Sequence, residues 1–168
     1  VAFDANGGVG EMTAQTVIEG DALVLASNIF VRAGYMFQGW SAKADGNAIY
    51  ADGVTIPDVP ANLEGTRFYA VWKPCAPNVV PADDATFTYA SATVSFSHDA
   101  NDVTIFYTTD GNNPAVNGRE YKGEFAVYKS CTIRAVAYGA GQYSDEVSVM
   151  LTRSDNLGEA ANLYGYLL

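Results

Sequence analysis

The stretch Val103-Thr104-Ile105-Phe106-Tyr107-Thr108-Thr109-Asp110-Gly111-Asn112-Asn113-Pro114 decides how the second half of the chain folds. Residues 103, 105 and 107 are apolar or aromatic and alternate with their neighbours, which predicts a strand with one buried face. The residues that follow favour a turn, so the strand is expected to end there. We expect the side chains of Asp110 and Asn112 to cap that turn.

The runs on either side of this stretch repeat the alternation, with period two. Their alternating positions are Val94 and Phe96, then Phe125 and Val127, then Ile133, Ala135 and Ala137, then Val147, Val149 and Leu151. Turn sequences such as Asp110-Gly111 and Asn117-Gly118 separate the runs. The second half therefore predicts a β-sandwich.

Three motifs in this half also resemble a known family. They are I-x-YTTDG-x-x-P at 105–114, Y-x-G-x-F at 121–125 and TIRAVAY at 132–138. Residues 77–152 resemble the chitobiase/β-hexosaminidase C-terminal module, which implies an immunoglobulin-like or fibronectin-III-like sandwich with an accessory role in secreted bacterial enzymes and surface proteins. The resemblance implies no catalytic residue, because catalysis in that family resides in a separate domain.

The first half is rich in aromatic residues and glycine turns. Its ordered motifs are VAFDANGG at 1–8, RAGYMFQGW at 32–40 and FYAVW at 68–72. They predict a strand with a glycine turn, a central aromatic hairpin and a closing strand, with a core supplied by Tyr35, Phe37, Trp40, Tyr69 and Trp72. Gly34 and Gly39 are expected to allow a bulge or a close backbone approach beside these rings.

This order of motifs closely resembles the Listeria-Bacteroides repeat, or internalin B-repeat family, over residues 1–74. The resemblance implies a small β-grasp-like module, often present in tandem on exported bacterial proteins. The predicted fold is therefore all-β: a β-grasp-like repeat module followed by an immunoglobulin-like β-sandwich. An extracellular or cell-surface location follows from the two resemblances.

The prolines of Trp72-Lys73-Pro74-Cys75-Ala76-Pro77 mark the expected boundary, because proline interrupts both helix and sheet. We expect domains at 1–74 and 75–153, with 154–168 a linker or the start of a further domain. Residues 61–65 predict a single helical turn, and 156–163 a short helix or the start of a strand. Val1 falls inside a predicted strand, so we expect further residues upstream.

The net charge of −10 at pH 7 is unfavourable for binding nucleic acid or an anionic membrane surface. No apolar run reaches the roughly 20 residues that span a bilayer, so no membrane insertion is expected. The expected partners are a host or bacterial surface protein or a glycan, together with further domains of the same polypeptide.

Candidates for catalysis and metal binding are few. His98 is the only histidine and precedes the polar run 99–102, so a turn residue is favoured over a catalytic base. One histidine and two cysteines do not complete a structural zinc site. The oxygen-rich runs 99–102 and 110–113 are favoured as turn caps over calcium ligands. No catalytic, cofactor or metal residue is therefore assigned, and no enzyme activity is expected.

The adjacent acids Asp83-Asp84 and Asp145-Glu146 are expected to be solvated charges rather than the facing pair of a glycosidase. Cys75 and Cys131 are expected to form a disulfide, with two buried thiols as the alternative.

Exposed aromatic rings are the remaining candidates for recognition. Tyr89, Tyr128, Tyr138 and Tyr143 are expected either to stack on a sugar or protein partner or to pack inside the protein. The favoured function is a non-catalytic spacer, adhesion or protein-binding element of a bacterial surface or secreted protein. The alternative is an accessory carbohydrate-binding unit of a secreted glycosidase or peptidase.

Overall fold

The computed structural model describes residues 1–88 and 91–154, which form strands joined by turns. The all-β prediction is confirmed. The strands are β1 (Ala2–Asp4), β2 (Leu23–Val24), β3 (Tyr35–Ser41), β4 (Thr55–Ile56), β5 (Arg67–Pro74), β6 (Asn78–Val80), β7 (Ala85–Phe87), β8 (Ala92–Ser97), β9 (Thr104–Thr108), β10 (Arg119–Glu120), β11 (Phe125–Val127), β12 (Cys131–Gly139), β13 (Gln142–Tyr143) and β14 (Val147–Arg153).

Two short helical segments accompany these strands. The predicted turn at 61–65 is confirmed as a 3-10 helix over Ala61–Leu63. Helix α1 (Pro114–Asn117) was not predicted, although its start has an ordinary cause. Asn113 caps it by accepting a hydrogen bond from the Ala115 N–H at 2.9 Å, and Pro114 occupies the first turn, where its missing N–H costs nothing. The element predicted at 156–163 lies outside the described residues.

The chain divides into two compact units. Unit 1 comprises Val1–Cys75, Asp99–Val103 and Gly139–Tyr143, and unit 2 comprises Ala76–His98, Thr104–Tyr138 and Ser144–Leu168. The domain limits 1–74 and 75–153 stay predictions, and the segment predicted at 154–168 lies outside the described residues except for Ser154.

The main sheet of unit 1 has the strand order β1-β5-β3. Strand β1 runs parallel to β5, and β3 runs antiparallel to it. Strands β2 and β4 form a separate two-stranded sheet. The central position of β5 explains its apolar character, because it has a partner on each edge and buries most of its residues.

Aromatic rings fill the core of unit 1. Trp40 and Phe68 are fully buried, with 0% exposure, and Phe3 lies 4.8 Å from Trp40 between ring centroids. The predicted core positions Tyr35, Trp40 and Trp72 are buried, whereas Phe37 and Tyr69 are half-buried. Additional rings that the prediction missed pack here, namely Phe3, Phe30, Tyr50 and Phe68.

The turn after β1 connects the first motif of unit 1 to the third, which lies on strand β5. Asn6, with φ +46°, donates its side-chain amide to the Ala70 carbonyl of β5 at 2.9 Å. The Trp72 indole donates to the Ala5 carbonyl at 2.8 Å. A Cβ atom on Gly8 would lie 2.8 Å from the Trp72 ring, so only glycine fits there without a shift.

Gly39 produces the expected bulge. The register between β3 and β5 shifts between Phe37 and Gly39, and Gly39 has a φ of +136°. A Cβ atom at this position would lie 2.5 Å from the Tyr50 carbonyl oxygen. The glycine therefore satisfies both a backbone conformation and a close approach that a side chain would oppose.

Unit 2 contains two sheets, as expected for a sandwich. The larger has the order β10-β9-β12-β14-β7, and the smaller has the order β11-β8-β6. The alternation predicted from sequence is confirmed, because Val94, Ile133 and Leu151 are buried on their strands. Strands β10 and β11 each form an edge of their sheets.

Candidate functional site

The acidic run after His98 has a structural partner. Asp102 accepts a hydrogen bond from Arg32 at 2.7 Å with one carboxylate oxygen and from the Tyr35 hydroxyl at 2.9 Å with the other. The Arg32 guanidinium also lies 4.0 Å from the centre of the Tyr35 ring, within unit 1. His98 is half-buried directly after β8. Asp102 thus supports the packing of unit 1, an alternative to the calcium ligation that sequence left open.

The electrostatics of this cluster favour fixed charges. The hydrogen bond from Arg32 holds the pKa of Asp102 below its ordinary value. Burial, followed by the hydrogen bond to Asp102, raises the pKa of Tyr35 to about 12. At neutral pH the three groups are therefore a cation, an anion and a neutral phenol, and none is poised to exchange a proton.

The turn after β9 confirms the predicted capping by Asp110. Its carboxylate accepts hydrogen bonds from the Asn112 backbone N–H at 3.1 Å and from the Asn112 side-chain amide at 2.8 Å. The first of these lowers the pKa of Asp110. The Asn112 side chain, which was also expected to cap the turn, instead donates a hydrogen bond to Asp110.

Two of the adjacent acids have specific partners. Asp83 accepts a hydrogen bond from the Met150 N–H at 2.7 Å, and Glu146 accepts one from Arg134 at 2.6 Å. Arg134 also donates to the Gly111 carbonyl at 2.7 Å. These acids therefore hold strand and turn segments of unit 2 in place, which is more than the solvated role expected from sequence.

The two cysteines carry thiols in the structure, and both are half-buried. Cys75 belongs to unit 1 and Cys131 to unit 2. Burial raises the pKa of the Cys131 thiol, which keeps it protonated and poorly nucleophilic at neutral pH.

The four candidate tyrosines do not form one surface. Tyr128, at 65% exposure, follows β11 in unit 2, and Tyr138 lies on β12 in the same unit. Tyr143 lies on β13, in unit 1. Tyr89 lies outside the described residues. Only Tyr128 among the three described ones lines the groove of unit 2.

That groove, called the β10–β11 groove here, has a volume of about 500 Å³. It is bounded by residues from the edge strands of both sheets and the turn after β11. The lining residues are Tyr107, Thr109, Arg119, Phe125, Ala126, Val127, Tyr128, Lys129 and Cys131. Its volume falls in the range of roughly 300 to 1,000 Å³ that is typical of small-molecule sites.

Stacked rings form the wall of the groove. Tyr107 and Phe125 stack with centroids 4.5 Å apart and an interplanar angle of 18°. The buried Phe96 and the half-buried Tyr121 pack against Tyr107, with centroids 5.5 Å and 6.3 Å away, and contact each other edge-on at 5.1 Å. The rings that line the groove therefore pack within a larger aromatic cluster of unit 2.

The polar groups of the groove are predominantly cationic. Arg119 and Lys129 both line it, whereas none of its nine lining residues is acidic. Within residues 1–88 and 91–154 neither cation forms an ion pair, although Arg119 interacts electrostatically with Asp110 beside the groove. The groove thus combines aromatic rings with two positively charged side chains in a protein whose net charge is −10.

Comparison with protein families connects these features to known modules. Residues 1–70 match the Listeria-Bacteroides repeat domain, and residues 84–152 match the chitobiase/beta-hexosaminidase C-terminal domain. Both predicted families are present, in the predicted order. No curated protein matches the chain.

The two families give the modules a coarse context. The chitobiase-type module is immunoglobulin-like and is often accessory to glycosidases, and the Listeria-Bacteroides module is a bacterial repeat. Both are accessory or repeat modules rather than catalytic domains, and both are typical of extracellular bacterial proteins. All residues that line the β10–β11 groove belong to the chitobiase-type module.

Sequence reasoning identified Tyr128 but missed the rest of this groove. Arg119 and Lys129 lie ten residues apart and flank the strand of Phe125, so only the pairing of strands brings them to one groove. One sequence pattern could have indicated the groove: Arg119 and Lys129 lie at the two ends of a segment with aromatic residues at 121, 125 and 128.

Within 1–88 and 91–154, no group of three or more His, Cys, Asp or Glu residues is arranged to hold a metal ion. None of the helices in that part of the chain has the length and apolar character to cross a membrane.

Proposed function

We propose that the chain is a non-catalytic pair of modules in an exported bacterial protein, where it spaces neighbouring domains and offers a surface for adhesion or protein contact. The observation that carries this proposal is that the aromatic residues pack into a core in each module. In the repeat module they pack around Trp40 and Phe68, and in the chitobiase-type module they pack around Phe96. Each module thus has the kind of core that supports a stable spacer.

The positions of the charged groups support the same proposal. Asp83, Asp102 and Glu146 hold backbone or side-chain partners within their units. Their hydrogen bonds stabilise the fold and leave these carboxylates committed. The family matches agree, since both are accessory or repeat modules.

A surface-display experiment tests the spacing role. The 168-residue chain is placed between a cell-surface anchor and a fluorescent reporter, and the height of the reporter above the membrane is measured. A glycine-serine linker of equal length serves as the control, because such a linker behaves as a flexible coil. We expect a defined height with a narrow distribution, and the same distribution as the linker would contradict the proposal.

Two further measurements test the other parts of the proposal. Antibodies against the chain should label intact cells of the bacterium that produces it, and signal confined to the cytoplasm would contradict export. Chromogenic glycosides and peptides should not be turned over by the purified chain. Turnover that His98→Ala abolishes would show an enzyme instead.

The β10–β11 groove favours carbohydrate recognition as a second candidate function. Aromatic rings stack on the apolar faces of sugars, and Tyr107, Phe125 and Tyr128 provide such rings in one groove. A glycan array probed with the whole chain tests this candidate. Binding that Tyr128→Ala removes is expected, and an array without specific signal would contradict it.

A further inference from the structure

We infer that the β10–β11 groove binds an acidic saccharide, with a sugar ring against its aromatic residues and the sugar carboxylate paired with Arg119 or Lys129. This inference rests on the second candidate function, carbohydrate recognition. It adds the chemical class of the ligand and the residues that select it.

The aromatic surface of the groove favours a saccharide as the ligand. Tyr128 is 65% exposed beside the stacked pair Tyr107 and Phe125, so an aromatic face is available at the rim and another in the wall. Sugar rings present C–H groups that pack on such faces while their hydroxyls remain in water. Thr109 adds a hydroxyl donor and acceptor to the same lining.

The positive charges of the groove favour a saccharide that carries a carboxylate. Arg119 and Lys129 contribute two positive charges to a lining that contains no carboxylate. A neutral sugar gains little from two cations, whereas a carboxylate forms charge-assisted hydrogen bonds with either of them. Because the chain as a whole carries −10, long-range attraction of an anion is weak, and selection has to occur at short range inside the groove.

The backbone geometry favours a saccharide over an acidic peptide. Peptides that bind at a sheet edge pair along an extended strand. Strand β11 has three residues, which gives an edge of about 10 Å. An edge of this length supports few backbone hydrogen bonds, so side chains rather than main chain would have to carry recognition.

The rim is held in place for binding. Arg153 donates to the Tyr128 carbonyl at 2.6 Å, and the Arg153 N–H is bonded to the Ser130 hydroxyl at 2.9 Å. These bonds tie the turn after β11 to strand β14. A fixed turn reduces the entropy lost when a ligand orders the Tyr128 and Lys129 side chains.

Matched pairs of ligands test the inference on the whole chain. Isothermal titration calorimetry compares sialyllactose with lactose, and trigalacturonate with its methyl ester, so that each pair differs in the carboxylate. Chitotriose is a further neutral ligand, and polyglutamate is the peptide comparison. We expect the acidic member of at least one pair to bind about tenfold or more tightly than its neutral partner, and to lose affinity as salt is raised.

Variants locate the binding. Tyr128→Ala and at least one of Arg119→Gln and Lys129→Gln should weaken the binding of the acidic saccharide by about tenfold, the usual scale for a residue that dominates an interface. Lys122→Gln is the control for charge, because Lys122 is exposed on the same module and pairs with Glu120 outside the groove. Tyr138→Ala is the control for ring loss. Both controls should bind as the unaltered chain does.

A second readout needs no variant. Amide shifts in a nitrogen-edited spectrum should change at the groove residues when the acidic saccharide is added, and the saccharide should slow alkylation of the Cys131 thiol in the groove. Shift changes confined to other parts of the chain would overturn the inference even if a variant failed to fold.

The outcomes separate this inference from the function on which it rests. Equal binding of acidic and neutral saccharides, unaffected by Arg119→Gln and Lys129→Gln, would overturn the acidic class and leave carbohydrate recognition standing. No binding of any saccharide would overturn both. Binding of polyglutamate alone at the groove would assign it to an acidic peptide and overturn the inference.

Discussion

The two units build their cores differently. In unit 1, Trp40 and Phe68 are fully buried, and rings from strands and loops pack around them. In unit 2, buried small and branched residues such as Ile133 occupy alternate positions along the strands. The aromatic rings of this unit cluster around Phe96. The comparison shows that unit 1 concentrates its buried area in a few large side chains, whereas unit 2 distributes it over many strand positions.

The largest expected effect comes from removing a ring from unit 1. Phe68→Ala deletes a fully buried ring on the central strand β5, and we expect it to lower the free energy of unfolding by about 3 to 5 kcal/mol. Ile133→Ala is the counterpart in unit 2, with an expected loss of about 2 to 5 kcal/mol.

Tryptophan fluorescence separates the two variants, because Trp40 and Trp72 both belong to unit 1. Phe68→Ala should shift the urea midpoint measured by this fluorescence. Backbone circular dichroism follows both units. A fluorescence midpoint that Phe68→Ala leaves unchanged would show that the buried rings do not dominate unit 1.

Gly39→Ala is expected to have the next largest effect. Alanine is strained at a φ of +136°, and its Cβ would lie 2.5 Å from the Tyr50 carbonyl oxygen. We expect a loss of about 2 to 4 kcal/mol from strain and crowding together. Gly20→Ala is the control, because it has a φ of +80° with no atom within 4 Å of the added Cβ. Equal losses for both variants would show that crowding at the bulge contributes nothing.

The two tryptophans allow a finer comparison within unit 1. The Trp72 indole N–H donates to the Ala5 carbonyl, whereas the buried Trp40 indole N–H has no partner among the described residues. Replacing tryptophan by phenylalanine removes a similar side-chain volume at either position. We therefore expect Trp72→Phe to be less stable than Trp40→Phe by about 1 to 2 kcal/mol, measured by urea unfolding with circular dichroism. The opposite order would mean that packing outweighs the hydrogen bond.

The smallest expected effect depends on pH. The folded pKa of Tyr35, about 12, lies above its ordinary value of 10.0, so its contribution to stability is complete below pH 10.0 and is lost as pH rises toward about 12. The midpoint temperature of thermal unfolding should therefore fall more steeply over this pH window for the unaltered chain than for Tyr35→Phe. Parallel curves would show that the phenol does not titrate with folding.

Periodicity made most of the fold predictable. The alternation around residues 94, 105, 133 and 149 identified strands of unit 2, since a strand turns successive side chains to opposite faces. Local turn chemistry identified the Asp110 cap and the bulge at Gly39. Both depend on neighbours in sequence, which is why they could be recognised without the structure.

Features that depend on distant neighbours could not be predicted. The Arg32–Asp102 pair joins residues 70 positions apart, and neither residue lies in a motif that indicates the other. Phe68 and Tyr69 are both aromatic, and only the pairing of β5 determines that Phe68 is buried. The groove needed the same knowledge, because it assembles from strands β9, β10 and β11.

The contact between Gly8 and the Trp72 ring makes the two positions interdependent in evolution. With tryptophan at 72, a Cβ at 8 would meet the ring at 2.8 Å, so alanine at position 8 should be selected against. A smaller residue at 72 removes that clash and leaves the alanine against the Ala5 and Val31 carbonyl oxygens at 3.1 Å, a tight fit that a small shift of the backbone would relieve. Selection for folding from a library randomised at both sites should recover compensating pairs, which would trace how such repeats diverge without losing their architecture.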